Sequence, residues 1–148
     1  MGDKSQAEPR DRRRQDVISQ EVASQEFERW AETWDIDTAE GFMAEDEREV
    51  FKGMRSRLER KIRAGALVID DEGNPHFTPQ FSDVPAMTFK IPTGADRLGW
   101  DKYKERESIH RIFSSLGSMT GQASAVFSRM DGRDLKVAEA IALLYLGS

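Results

Sequence analysis

Apolar positions along this chain change period twice. From Asp16 onward, Ala23, Phe27, Trp30, Ala31 and Trp34 recur at the intervals of one helical face, which predicts a first helix. A second helix is predicted from about Glu45, with Val50, Phe51, Met54, Leu58 and Ile62 as its buried stripe. Its charges agree: carboxylates lead, the cations of "RSRLERKIR" close, and Gly65 stands where a left-handed C-terminal cap is needed. The period then shortens to two. Ala66–Asp70 and His76–Thr78 flank Asp71-Glu72-Gly73-Asn74 and predict a hairpin, its second run held short or to an edge by Pro75 and Pro79. "AMTFKIP" alternates, placing Met87, Phe89 and Ile91 inside and Thr88 and Lys90 outside.

Helical spacing returns after Pro92. Tyr103, Ile109, Ile112, Phe113 and Leu116 share one side of a predicted helix, with Trp100 at its start. A short helix follows with Val126, Phe127 and Met130 inward. The last carries Leu135, Ala138, Ile141, Ala142 and Tyr145, with Asp131 as N-cap and Asp134 placed as in a capping box. The fold class expected is α+β: N-terminal helices, a small three-stranded antiparallel sheet and a C-terminal three-helix cluster. The expected organisation is a disordered basic arm over 1–15, then a single domain over 16–148. Within it, 16–64 form the helical front, 65–92 the sheet and 93–148 the helical cluster.

Composition narrows the chemistry. At 148 residues one core suffices, and the absence of cysteine removes disulfides, thiolate metal sites and a cysteine nucleophile. It also fits a reducing setting. "AIALLYL", Ala140–Leu146, is far short of the ~20 residues of a membrane span. A net charge of −5 disfavours general nucleic-acid binding, so nucleic acid and membrane are not the expected partners. Arg10, Arg12, Arg13 and Arg14 read first as a solubilising arm. With Arg55–Arg63 they carry the alternative reading, a small nucleic-acid-associated regulator.

Site-like residues are few. "SSLGSMTGQASAV", Ser114–Val126, has neither the Lys-Ser/Thr ending of a phosphate loop nor the spacing of a nucleophile elbow. It reads as a helix joint, with Gly117 ending one helix and Ser118 or Thr120 capping the next. Asp35, Asp37 and Glu40 lack the offsets of a calcium loop. His76 and His110 have no metal-type partner nearby in sequence. Glu105, Glu107 and His110 would be the core of any acid–base enzyme. No catalytic, cofactor or metal residue is assigned, and the chain reads as a non-enzyme. The aromatics of the first helix admit two readings: they dock on the core, or they anchor a partner. Phe27, Trp30 and Trp34, with Phe42 beside them, are therefore the candidate partner-binding residues.

Three stretches carry a family resemblance: "IRAGALVIDDEGNPHFTP", "MTFKIPTGADRL" and "LGSMTGQASAVFSRMDGRDLKVAEAIALLYL". In order and turn residues, about Arg60 to Leu146 resembles the tail assembly chaperones of long-tailed bacteriophages and prophages. The resemblance implies a small factor in the bacterial host cytoplasm that keeps the tape-measure protein soluble. It would gather major tail subunits around that protein and leave before the tail is complete. It implies protein partners, the tape-measure and major tail proteins; no cofactor is expected, and a homo-oligomer is compatible with the sequence.

Overall fold

A computed structural model describes residues 16–101 and 108–146. The basic arm expected over 1–15 lies outside them, as do the side chains of Trp100, Tyr103 and Ile109. The architecture is α+β. Helices α1 (Gln20–Trp34) and α2 (Glu45–Arg63) are joined through a 3-10 turn, Glu40–Phe42. Strands β1 (Leu67–Ile69), β2 (Pro75–Phe77) and β3 (Met87–Thr88) follow. Helical segments α3 (Gly94–Asp101), α4 (Ser108–Thr120), α5 (Ser124–Ser128) and α6 (Gly132–Leu146) complete the described chain.

The first helix begins later than its apolar spacing suggests. Ser19 caps α1 by accepting from the Val22 amide, so Asp16–Ile18 stay outside it. Their backbone has another use: the Val17 and Ile18 amides both donate to the Arg63 carbonyl at the end of α2. Helix α2 opens on Glu45, Asp46 and Glu47 and ends on Arg60, Lys61 and Arg63, and Gly65 takes φ +82° just beyond it. Val50 departs from the expected stripe. Phe51, Leu58 and Ile62 are buried, but Val50 is largely exposed among the described residues.

The sheet is antiparallel in the order β1-β2-β3. Its register aligns Leu67, Phe77 and Met87 on the inner face and Val68, His76 and Thr88 on the outer one. The Pro75-bearing strand is short, as expected, but central rather than at an edge. Proline is tolerated there because it is the first residue of β2, and its carbonyl still accepts from Phe89. The alternation of the third run ends early. Met87 and Phe89 are buried, whereas the chain has left the sheet before Ile91, which is exposed.

One hydrophobic cluster draws on both N-terminal helices, the sheet and helices α4, α5 and α6, from Phe27 and Trp30 through Leu58, Phe77 and Phe89 to Leu116, Phe127 and Ile141. An aromatic ladder forms its spine. Phe27, Trp30, Trp34 and Tyr145 meet edge to face, with centroids 5.5–5.6 Å apart. Trp34 Nε1 donates to Asn74 Oδ1 at 3.0 Å, tying α1 to the hairpin turn. Arg29 does the same by donating to the Ile69 and Asp70 carbonyls.

Two joints differ in detail from the sequence reading. Gly117 lies inside α4, and the left-handed residue that ends this helix is Gly121, at φ +73°. Helix α5 has Ala123 as its N-cap residue and so lacks a side-chain cap, and Thr120 bonds its own turn instead. Asp131 does cap α6 by accepting from the Arg133 amide, and the Arg133 guanidinium beside it holds its carboxyl down to about 2. Asp134 does not reach back to form a box. It is buried and accepts from the Gln80 and Phe81 amides and the Ser82 hydroxyl, and Ser82 Oγ in turn accepts from the Asp131 amide. A reciprocal box of that kind is found elsewhere, between Thr93 and Asp96 at the start of α3.

Candidate functional site: an acid-rimmed apolar groove

Three of the four expected partner-binding residues are not available for binding. Phe27, Trp30 and Trp34 are fully or almost fully buried in the aromatic ladder. The face they share is the one that α2, β1 and α6 cover, so the docking reading of α1 is the correct one. Phe42 differs: it is 93 % exposed.

The residue after it, Met43, lines a groove between α2, α6 and the segment that links α1 to α2. Met43, Val50, Phe51, Met54, Leu143 and Leu144 form its apolar surface, and Asp37, Asp46 and Glu47 its acidic edge. The cavity measures about 390 Å³. Its floor is core: Phe51 and Leu144 are buried. Its walls are not, since Val50 is 61 % exposed and Leu143 41 %.

Local chemistry explains why these residues stand where they do. Residues 47, 50 and 54 follow the spacing of a second face of α2, turned from the Phe51–Leu58–Ile62 face that packs inward, and Met43 joins them from the extended segment before the helix. The 3-10 turn bearing Phe42 is clamped by Arg48, whose guanidinium donates to the Glu40 and Met43 carbonyls at 3.1 Å. Glu47 accepts from the Ala44 amide, and Asp37 from the Ala39 amide. The carboxylates therefore order the groove's edge as well as charge it. Two methionines line the wall, and their unbranched thioethers adapt to differently shaped apolar surfaces. Such a groove is suited to the apolar face of an amphipathic helix, with cationic residues flanking that face.

Sequence reasoning missed Met43, Val50 and Leu143. The available signals were an isolated "GFM" within an acidic stretch and an α2 stripe wider than one neighbour can cover.

The polar candidates lie elsewhere. His76 sits on the outer face of the sheet, its Nε2 3.0 Å from Asp70 Oδ2 and its Nδ1 2.8 Å from Thr88 Oγ1. Hydroxyl, imidazole and carboxylate are thus in line. Asp70 is primarily a turn residue: its Oδ1 accepts from the Glu72 and Asn74 amides, and the Asn74 amide is the main cause that lowers its pKa. The His76–Thr88 bond joins a cross-strand pair, and both residues lie on the solvent side. His110 is exposed on α4, and its expected partners Glu105 and Glu107 lie outside the described residues. Among the described residues, no three His, Asp or Glu side chains converge in a metal-type cluster.

The cations of α2 divide. Arg55 is spent on structure, bonding Glu59, Glu28 and Ser24 and lying over the Phe27 ring at 4.5 Å. Arg57, Arg60, Lys61 and Arg63 line a separate cavity at the helix's far end.

In comparison with known proteins, no family model, curated protein or solved structure matches this chain. No helix among the described residues is long and apolar enough to cross a membrane.

Proposed function

We propose that this protein is a non-enzymatic, protein-binding assembly factor whose groove between α2 and α6 holds a helical segment of its client. The observation that carries this is the groove itself: exposed Val50 and Leu143 over a buried floor, with an acidic edge. A helix with an apolar face and flanking Lys or Arg is complementary to it in shape, polarity and charge. The resemblance of residues 60–146 to phage tail assembly chaperones supports a specific client, the tape-measure protein, with major tail subunits gathered around it. The bacterial host cytoplasm is the setting that this reading requires. A tape-measure chain is long, helical and apolar, and in the free state it needs its apolar faces covered.

The test is titration with a basic amphipathic helical peptide and co-purification with a tape-measure fragment. Val50→Asp and Leu143→Asp should each weaken binding roughly tenfold or more while leaving stability nearly unchanged, because both side chains are already partly in water. Undiminished binding by both variants would overturn the proposal.

A further inference from the structure

At the opposite end of α2 from the apolar groove, a cavity of about 560 Å³ is lined by Arg57, Arg60, Lys61, Arg63, Arg133 and Lys136. Among the described residues, Asp16 is the single acidic one that lines it. This concentration of cations stands against a chain whose net charge is −5.

The usual structural explanation for cations at this place does not account for them. Lys and Arg near a helix C-terminus often serve the last carbonyls. Here backbone amides already do so. The Arg60 carbonyl accepts from Ala64, Lys61 from Ala66, Ile62 from Gly65, and Arg63 from both Val17 and Ile18. The guanidiniums of Arg57, Arg60 and Arg63 make no hydrogen bond or ion pair among the described residues, and Arg63 Nε is buried without a partner there. An unpaired buried donor on an always-charged group is costly unless an anion or water meets it. Arg133 is held at the rim over the Phe81 ring, 3.9 Å from its centroid, while it bonds Asp131. The cavity is thus supplied from two elements, the end of α2 and the start of α6, and their cations face one space.

We infer that this cavity is an anion-binding site for a compact ligand bearing several phosphate groups. Guanidinium forks match phosphate oxygens in geometry, and a charge this dense suits a polyanion rather than a lone carboxylate. The volume falls within the range of small-ligand sites, about 300–1,000 Å³. Among the described residues the cations converge in one concavity and do not form an extended track, which favours a small ligand over a duplex backbone. The inference is independent of the client groove.

The probe is inorganic triphosphate, titrated calorimetrically into the full chain at low salt. A short DNA duplex serves as the second arm. Arg60→Glu and Lys136→Glu change exposed side chains in the cavity, and Lys52→Glu makes the same charge change outside it. Triphosphate should bind saturably. Each cavity variant should weaken it roughly tenfold or more, while Lys52→Glu leaves it nearly unchanged. No saturable binding would overturn the inference, as would equal losses in all three variants. Binding of duplex DNA alone, with steep salt dependence, would also overturn it and mark this face as a nucleic-acid surface.

Discussion

Gly73 and Asp134 show how much of this fold depends on single atoms. Gly73 sits in the hairpin turn at φ +83°, and a Cβ there would stand 2.5–2.7 Å from the Thr33 side chain on α1. The turn was legible from "DEGN"; the close approach of α1 was not, because it joins residues 40 apart. Gly73→Ala should therefore destabilise by about 2–4 kcal/mol, combining a left-handed backbone with a steric clash. Urea denaturation measures this, and a loss below about 0.5 kcal/mol would contradict it. Asp134 is the counterpart among polar residues. Its position in sequence suggests a helix cap, yet its carboxylate organises Gln80–Ser82 from across the fold. Asp134→Ala would leave two backbone amides in a part-buried site without an acceptor and should cost on the order of 3 kcal/mol. Asp134→Asn should lose much of the same, since its amide nitrogen would face a donor. A near-wild-type melting temperature for both would show that the loop is held by other contacts.

Among the elements, α1 is the one whose role the sequence left open. An apolar helical stripe has the same spacing whether it packs on its own core or on a partner. Only the tertiary contacts decide, and Trp30 and Trp34 lie within a ladder that ends at Tyr145 of α6. Trp30→Ala should then cost about 3–5 kcal/mol and show itself first as lost stability. Calorimetry on the purified variant checks this; unchanged melting with lost client binding would restore α1 as a binding helix. Helix α2 was the most legible element, because its charges, stripe and terminal glycine all agree. What remained hidden was which apolar residues of α2 lack cover. Val50 and Phe51 are adjacent in sequence and both apolar, and only tertiary packing, Phe51 against Phe27 of α1 among it, separates one as wall from the other as floor.

For the whole molecule, α2 acts as an axis with opposite chemistry at its two ends. Its N-terminal half borders an acidic apolar groove, and its C-terminal turns border a cationic cavity. Helix electrostatics favour charges of these signs at the two ends of α2, which is why the sequence reading suggested no site there; Arg133 and Lys136 join the cations only through the fold. The α+β class and the three-strand sheet were legible from periodicity and turn residues. The location of the groove was not, because α6 and the Asp37–Met43 segment meet there from opposite parts of the chain. The account's central claim is that this groove holds the client. Backbone amide chemical-shift mapping during titration with a basic amphipathic helical peptide tests it most directly. The expected shifts cluster at Asp37–Met54 and at Leu143 and Leu144. Shifts confined to the outer sheet face or to the cationic cavity, with the groove silent, would contradict it.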